Sequence, residues 1–152
     1  MNARIVLPLL LALGLLGAIN WVGRAVPFHC SALGKVFLAY GVVQMPRGRL
    51  ERRTDRTILT REALEAELAK VRRQGYAVAD SELEPGLVAV AAPIQGPDGG
   101  VVAALSVTGP SVRLTGDRVP GVGRLLVEEA RAIARALGTP DQQPRNRRVG
   151  AA

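Results

Sequence analysis

Two long apolar runs constrain the fold most: "GLVAVAAPI" at 86–94 and "VVAALSVTG" at 101–109, joined by "QGPDGG". Each is rich in Val and Ala and bounded by glycine, the pattern of a strand, and the linker is a loose hairpin signal. Runs apolar on both faces need cover on both sides of a sheet. A shorter stretch, "YAVAD" (76–80), is half alternating, and "SVRLT" (111–115) offers a further strand. Helical patterns stand on either side of this block. Ser31 can cap a helix whose apolar residues are Leu33, Val36, Phe37 and Tyr40, with Gly41 as its end. Thr60 caps a second, "REALEAELAKVRRQG", with Ala63, Leu64, Leu68 and Val71 on one face and Gly75 as the stop. Val122, Leu125, Leu126, Ala130, Ile133, Ala134 and Leu137 trace a third stripe that closes at Gly138. Helices and strands are grouped rather than strictly alternating, which points to an α+β layer and away from a doubly wound sheet.

At 152 residues the chain is at most one domain, and such a chain can bury about two-thirds of its unfolded surface. Aromatics make up only 3% of it, so Val, Leu, Ala and Ile must build the core. The net charge of +7 is unevenly spread. Residues 47–61 carry six Arg against two acids, and 139–152 three Arg against one Asp, whereas 62–138 is slightly acidic. No reading helix carries that charge, so it reads as a solvated connector and a disordered basic tail rather than a nucleic-acid surface. With one Cys and one His, neither a disulfide framework nor a zinc site can be assembled. No cofactor is expected.

The segment "HCSALGK" (29–35) crowds an imidazole, a thiol, a hydroxyl and an ammonium together. It is not a P-loop, because His29 stands where the first glycine belongs. It is not a nucleophile elbow, because His29 and Leu33 flank Ser31 where glycines are needed. Lys35 is four residues after Ser31, one too many for Ser-x-x-Lys. Adjacent His29 and Cys30 side chains diverge and lack an orienting third group, so Cys30 reads as a small buried hydrophobe. What survives is a strand ended by Pro27 running into a Ser-capped helix. That leaves unpaired amides at 31–34 for a carboxylate or other small anion, with Ser31 bonding its own helix or the ligand.

In "ADSELEPG" (79–86), Asp80, Glu82 and Glu84 alternate as on a strand leaving the core. They are solvated turn carboxylates, or else Asp80 or Glu82 points inward to accept a ligand hydroxyl. Ser106 and Thr108 share one face of their strand. Covered hydroxyls need partners, either a polar ligand or a cross-strand pair.

Residues 5–22, "IVLPLLLALGLLGAINWV", hold no charge. They suit a marginal membrane span, a signal core, buried structure, or a disturbed start of a longer frame. We divide the chain into an apolar leader (1–22), a folded domain (23–138) and the tail (139–152).

Taken in order, "VPFHCSALGKVFLAYG", "RTILTREALEAELAKVRRQGYAVADSELEPGLVAVAAPI" and "GGVVAALSVTGP" resemble the C-terminal effector-binding domain of IclR-type bacterial transcription regulators, from about Asn20 to Gly138. The resemblance implies a GAF-like fold, a curved, mostly antiparallel sheet flanked by helices, and a non-catalytic, cytoplasmic protein. It implies a pocket for a small organic acid or aromatic metabolite, using Ser31, Ala32, Leu33, Asp80, Ala89, Ser106 and Thr108. It implies a homodimer or tetramer whose populations the effector shifts. DNA would be reached only through a winged helix-turn-helix that these residues lack. Ala79 and Ala89 replace an acid and a polar or Cys residue common in the family, which makes the pocket less polar. A membrane-anchored GAF-like sensor, with 5–22 as anchor, is the alternative.

Overall fold

The computed structural model describes residues 26–138. The leader at 1–22 and the tail at 139–152 lie outside the described residues. A 3-10 turn, Phe28–Cys30, leads into helix α1, Ala32–Ala39. Then follow α2 (Arg61–Gln74), strands β1 (Ala77–Asp80), β2 (Leu87–Gln95) and β3 (Val101–Pro110), and helix α3 (Val119–Ala136).

Local chemistry sets the ends of the helices. Ser31 Oγ accepts from the Gly34 amide at the start of α1, and Thr60 Oγ1 accepts from the Ala63 amide at the start of α2. Such caps satisfy donors that the first turn cannot pair internally. Gly75 ends α2 at φ 83°, a left-handed conformation that a Cβ would strain, and its amide returns to Val71 O at 2.8 Å.

The sheet is antiparallel in the order β1-β2-β3. Its register runs Ala77 to Ala91 to Ser106, and one pair further along, Ala79 to Ala89 to Thr108. Paired residues share a face, so these six side chains form a small-residue floor on one side. Helices α1 and α2 cover part of that side through Ala32, Val36, Leu64, Leu68 and Val71, packed on Ala77, Ala79 and Ala91. The opposite face presents Val88, Val90, Ala92 and Ile94 to Leu126, Ala130 and Ala134 of α3. Gly123 lets α3 approach closely, since a Cβ there would lie 2.6 Å from the Tyr76 ring. The fold is α+β, with cover on both faces as the two apolar runs require.

Three expectations are corrected. "SVRLT" is not a strand: Arg113 and Leu114 both donate to Pro110 O, closing a turn that drops Leu114 into the α3 side of the core. The alternation of Asp80, Glu82 and Glu84 is broken at Ser81, which takes φ 55° and ends β1. Leu125 and Leu137 are exposed, so the buried stripe of α3 is narrower than its apolar pattern.

Candidate functional site

"HCSALGK" builds one wall of a cavity of about 650 Å³. Ser31 Oγ donates to Pro27 O at 3.0 Å while accepting from the Gly34 amide, so the hydroxyl serves both the turn and the helix. A Cβ on Gly34 would lie 2.3 Å from the Phe28 backbone, which makes glycine the residue that lets the turn fold onto α1. The amides of Ala32 and Leu33 precede the first intrahelical bond and have no acceptor among the described residues. Both residues line the cavity, with the positive end of the α1 dipole directed to it.

Two of the motif's three titratable members, His29 and Cys30, are spoken for. His29 is buried, its Nε2 2.9 Å from Glu51 O. Cys30 lines the cavity but is inaccessible, and burial, helped by the Glu82 charge, raises its thiol from 9.0 to about 11. A thiol held protonated is a poor nucleophile.

Opposite the helix start lies the sheet floor. Ala79, Ala89, Ser106 and Thr108 all line the cavity, and their methyl-sized neighbours leave it open. Neither the Ser106 nor the Thr108 hydroxyl has a hydrogen-bond partner among the described residues. The remaining walls are Phe28 and Phe37 on one side and the segment Leu83–Leu87 on the other. Glu84 is the one acid in the lining, and no Lys, Arg or His lines the cavity among the described residues.

Asp80 lies outside this lining. Its carboxylate sits 3.0 Å from Arg56 and accepts from Ser81 Oγ, so it is turned to the arginine-rich connector. That connector is more than solvated charge. Thr54 Oγ1 donates to Ser81 O and Thr57 Oγ1 to Glu82 O, anchoring the loop that forms the cavity wall. Sequence reasoning also missed Lys35, which is fully buried and donates to Val78 O at 2.9 Å and to Glu82 Oε1 at 2.6 Å. Its pairing spans 47 residues, and no local pattern announces it.

The family model described as "Bacterial transcriptional regulator IclR C-terminal" matches residues 14–135. The chain belongs to the IclR family. The match begins inside the apolar stretch 5–22. Among curated IclR-family relatives, the chain is 37% identical over 125 residues to the HTH-type transcriptional regulator KdgR of Escherichia coli, covering 79% of this chain and 48% of that protein. The chain thus spans about half the length of the curated relatives it matches. It resembles the solved C-terminal domain of E. coli KdgR with a TM-score of 0.65 and 34% identity over 76% of this chain and 73% of that one. It also resembles the PobR inducer-binding domain from Acinetobacter, solved as a double mutant with 3-hydroxybenzoic acid. There the TM-score is 0.65 and the identity 27%, covering 74% and 67% of the two chains. The relatives are named regulators and repressors of transcription. No helix among the described residues is long and apolar enough to cross a membrane.

Proposed function

We propose that residues 23–138 form the effector-binding domain of an IclR-type regulator and that the cavity holds a small organic acid with an apolar, often aromatic, body. The observation that carries this reading is that two amides without acceptors, Ala32 and Leu33, and two hydroxyls without partners among the described residues, Ser106 and Thr108, line one mostly apolar space in which Glu84 is the one acid. The amides and the α1 dipole suit a carboxylate, and the hydroxyls suit a polar substituent at its other end. Phe28, Phe37, Leu83 and Leu87 suit the body between them. With no cationic side chain in the lining, one carboxylate is matched better than two. The likeness to a domain solved with 3-hydroxybenzoic acid supports the same class.

The regulator works by population shift in the cytoplasm: the effector favours one arrangement of a homodimer or tetramer, and DNA is reached through a winged helix-turn-helix outside this domain. Ser31 holds the helix start, Ala89 keeps the floor open, and Asp80 acts from outside the lining by fixing its loop to Arg56. A thermal-shift panel of small monocarboxylates tests the reading. At least one acid raises the melting temperature saturably, and Ser106→Ala weakens its binding by about tenfold, the worth of one hydrogen bond to a charged or polar group. No shift across a broad panel contradicts it.

A further inference from the structure

One side chain ties the start of α1 to the loop from Glu82 to Gly86, which carries the far wall of the cavity. Lys35 is on α1, one turn past the cavity amides, and none of its surface reaches solvent. Its Nζ lies 2.6 Å from Glu82 Oε1, 2.9 Å from Val78 O and 3.6 Å from Glu67 Oε1 of α2. Glu82 is the first residue of the loop, and its Oε2 is buried with no hydrogen-bond partner among the described residues. The loop follows Ser81, whose left-handed φ of 55° must be held by its surroundings. Thr54 and Thr57 hold it from the connector side, and the Gly86 amide donates to Ser81 Oγ. Lys35 holds it from the helix side.

We infer that Lys35 is a positioning residue for the cavity: through Glu82 it fixes the 82–86 loop at a set distance from the amides of α1. The inference rests on the effector reading for its use, because a loop held so sets the width of the effector site.

The charges facing Glu82 are Lys35 from α1 and Glu67 from α2, with the Cys30 thiol of the turn close by. Asp80 is engaged with Arg56 instead. Burial raises the Glu82 carboxyl above its ordinary 4.5, and Lys35 opposes that rise. Removing the ammonium therefore lifts it further. The variant then holds a buried carboxyl without its cation, so the loop opens most where Glu82 is charged and less where acid neutralises it.

The test is amide hydrogen exchange on the full chain from pH 5 to 8, comparing protection factors at Glu84–Leu87 with those of the β2–β3 ladder. In Lys35→Met, loop protection falls about tenfold or more at pH 7.5, the equivalent of one pKa unit, while the ladder changes less. The gap narrows as the pH is lowered. In Glu82→Gln, loop protection is also reduced while the ladder changes less, which keeps the test open if Lys35→Met fails to fold. Loop and ladder losing protection equally, or a Lys35→Met gap independent of pH, would overturn the inference and leave Lys35 as a packing residue. Failure of every acid in the thermal-shift panel would instead remove the effector reading and leave the exchange result standing.

Discussion

At the scale of single residues, the molecule depends on groups that carry no chemistry of their own. Gly34 is required because the Phe28 backbone occupies the space of its Cβ. Gly34→Ala should lower stability by about 3 kcal/mol, the upper end for an overpacked site, read from the urea midpoint at unchanged m-value. Cys30 is legible in sequence as a buried small hydrophobe, and its raised thiol makes that reading measurable. Between pH 9.0 and about 11 the unfolded thiol loses its proton and the folded one keeps it. The native state then binds more protons than the unfolded one, so stability falls as pH rises through that window. Cys30→Ala should make this fall shallower, and the wild-type thiol should resist alkylation at pH 8 until denaturant is added. Alkylation of the native protein at the rate of an exposed thiol would show the burial to be wrong. Asp80 was the least legible residue. Its type and position suit a ligand acceptor, but Arg56, 24 positions earlier, holds its carboxylate.

At the scale of elements, legibility follows the range of the signal. The two apolar runs gave β2 and β3, and the caps Ser31 and Thr60 and the stop Gly75 gave the bounds of α1 and α2, because each of these signals acts within a turn or two of chain. Thr60→Ala removes an exposed cap bond of 3.3 Å and should cost about 1 kcal/mol in chemical denaturation. "SVRLT" misled because alternation over five residues also fits a turn with one inward side chain, here Leu114. The arginine-rich connector misled because its charge hid its function. Thr54 and Thr57 are buried and bond carbonyls of a loop 25 to 28 residues away. Replacing both with Val should raise hydrogen exchange at Ser81–Gly86 while the β2–β3 ladder keeps its protection. Equal loss in loop and ladder would assign the threonines to global stability alone.

At the scale of the molecule, the fold class and family were readable because ordered blocks across most of the chain carry them, and the α+β layer places those blocks around one space. The cavity itself was half readable. Helix capping announced the unpaired amides, and strand periodicity put Ser106 and Thr108 on one face, but only the register Ala79–Ala89–Thr108 brings that face under α1. The far wall, Leu83–Leu87, depends on the left-handed Ser81 and on the buried Lys35–Glu82 pair, which are tertiary facts. The central claim is that a carboxylate sits between the α1 amides and the β3 hydroxyls. The most direct measurement is a ¹H–¹⁵N NMR titration with 3-hydroxybenzoate beside its neutral amide analogue. The acid should shift the amides of Ala32, Leu33, Ser106 and Thr108 saturably, and the amide analogue should shift them only weakly. Equal responses to both compounds, or saturable shifts confined to residues away from the cavity, would contradict the account.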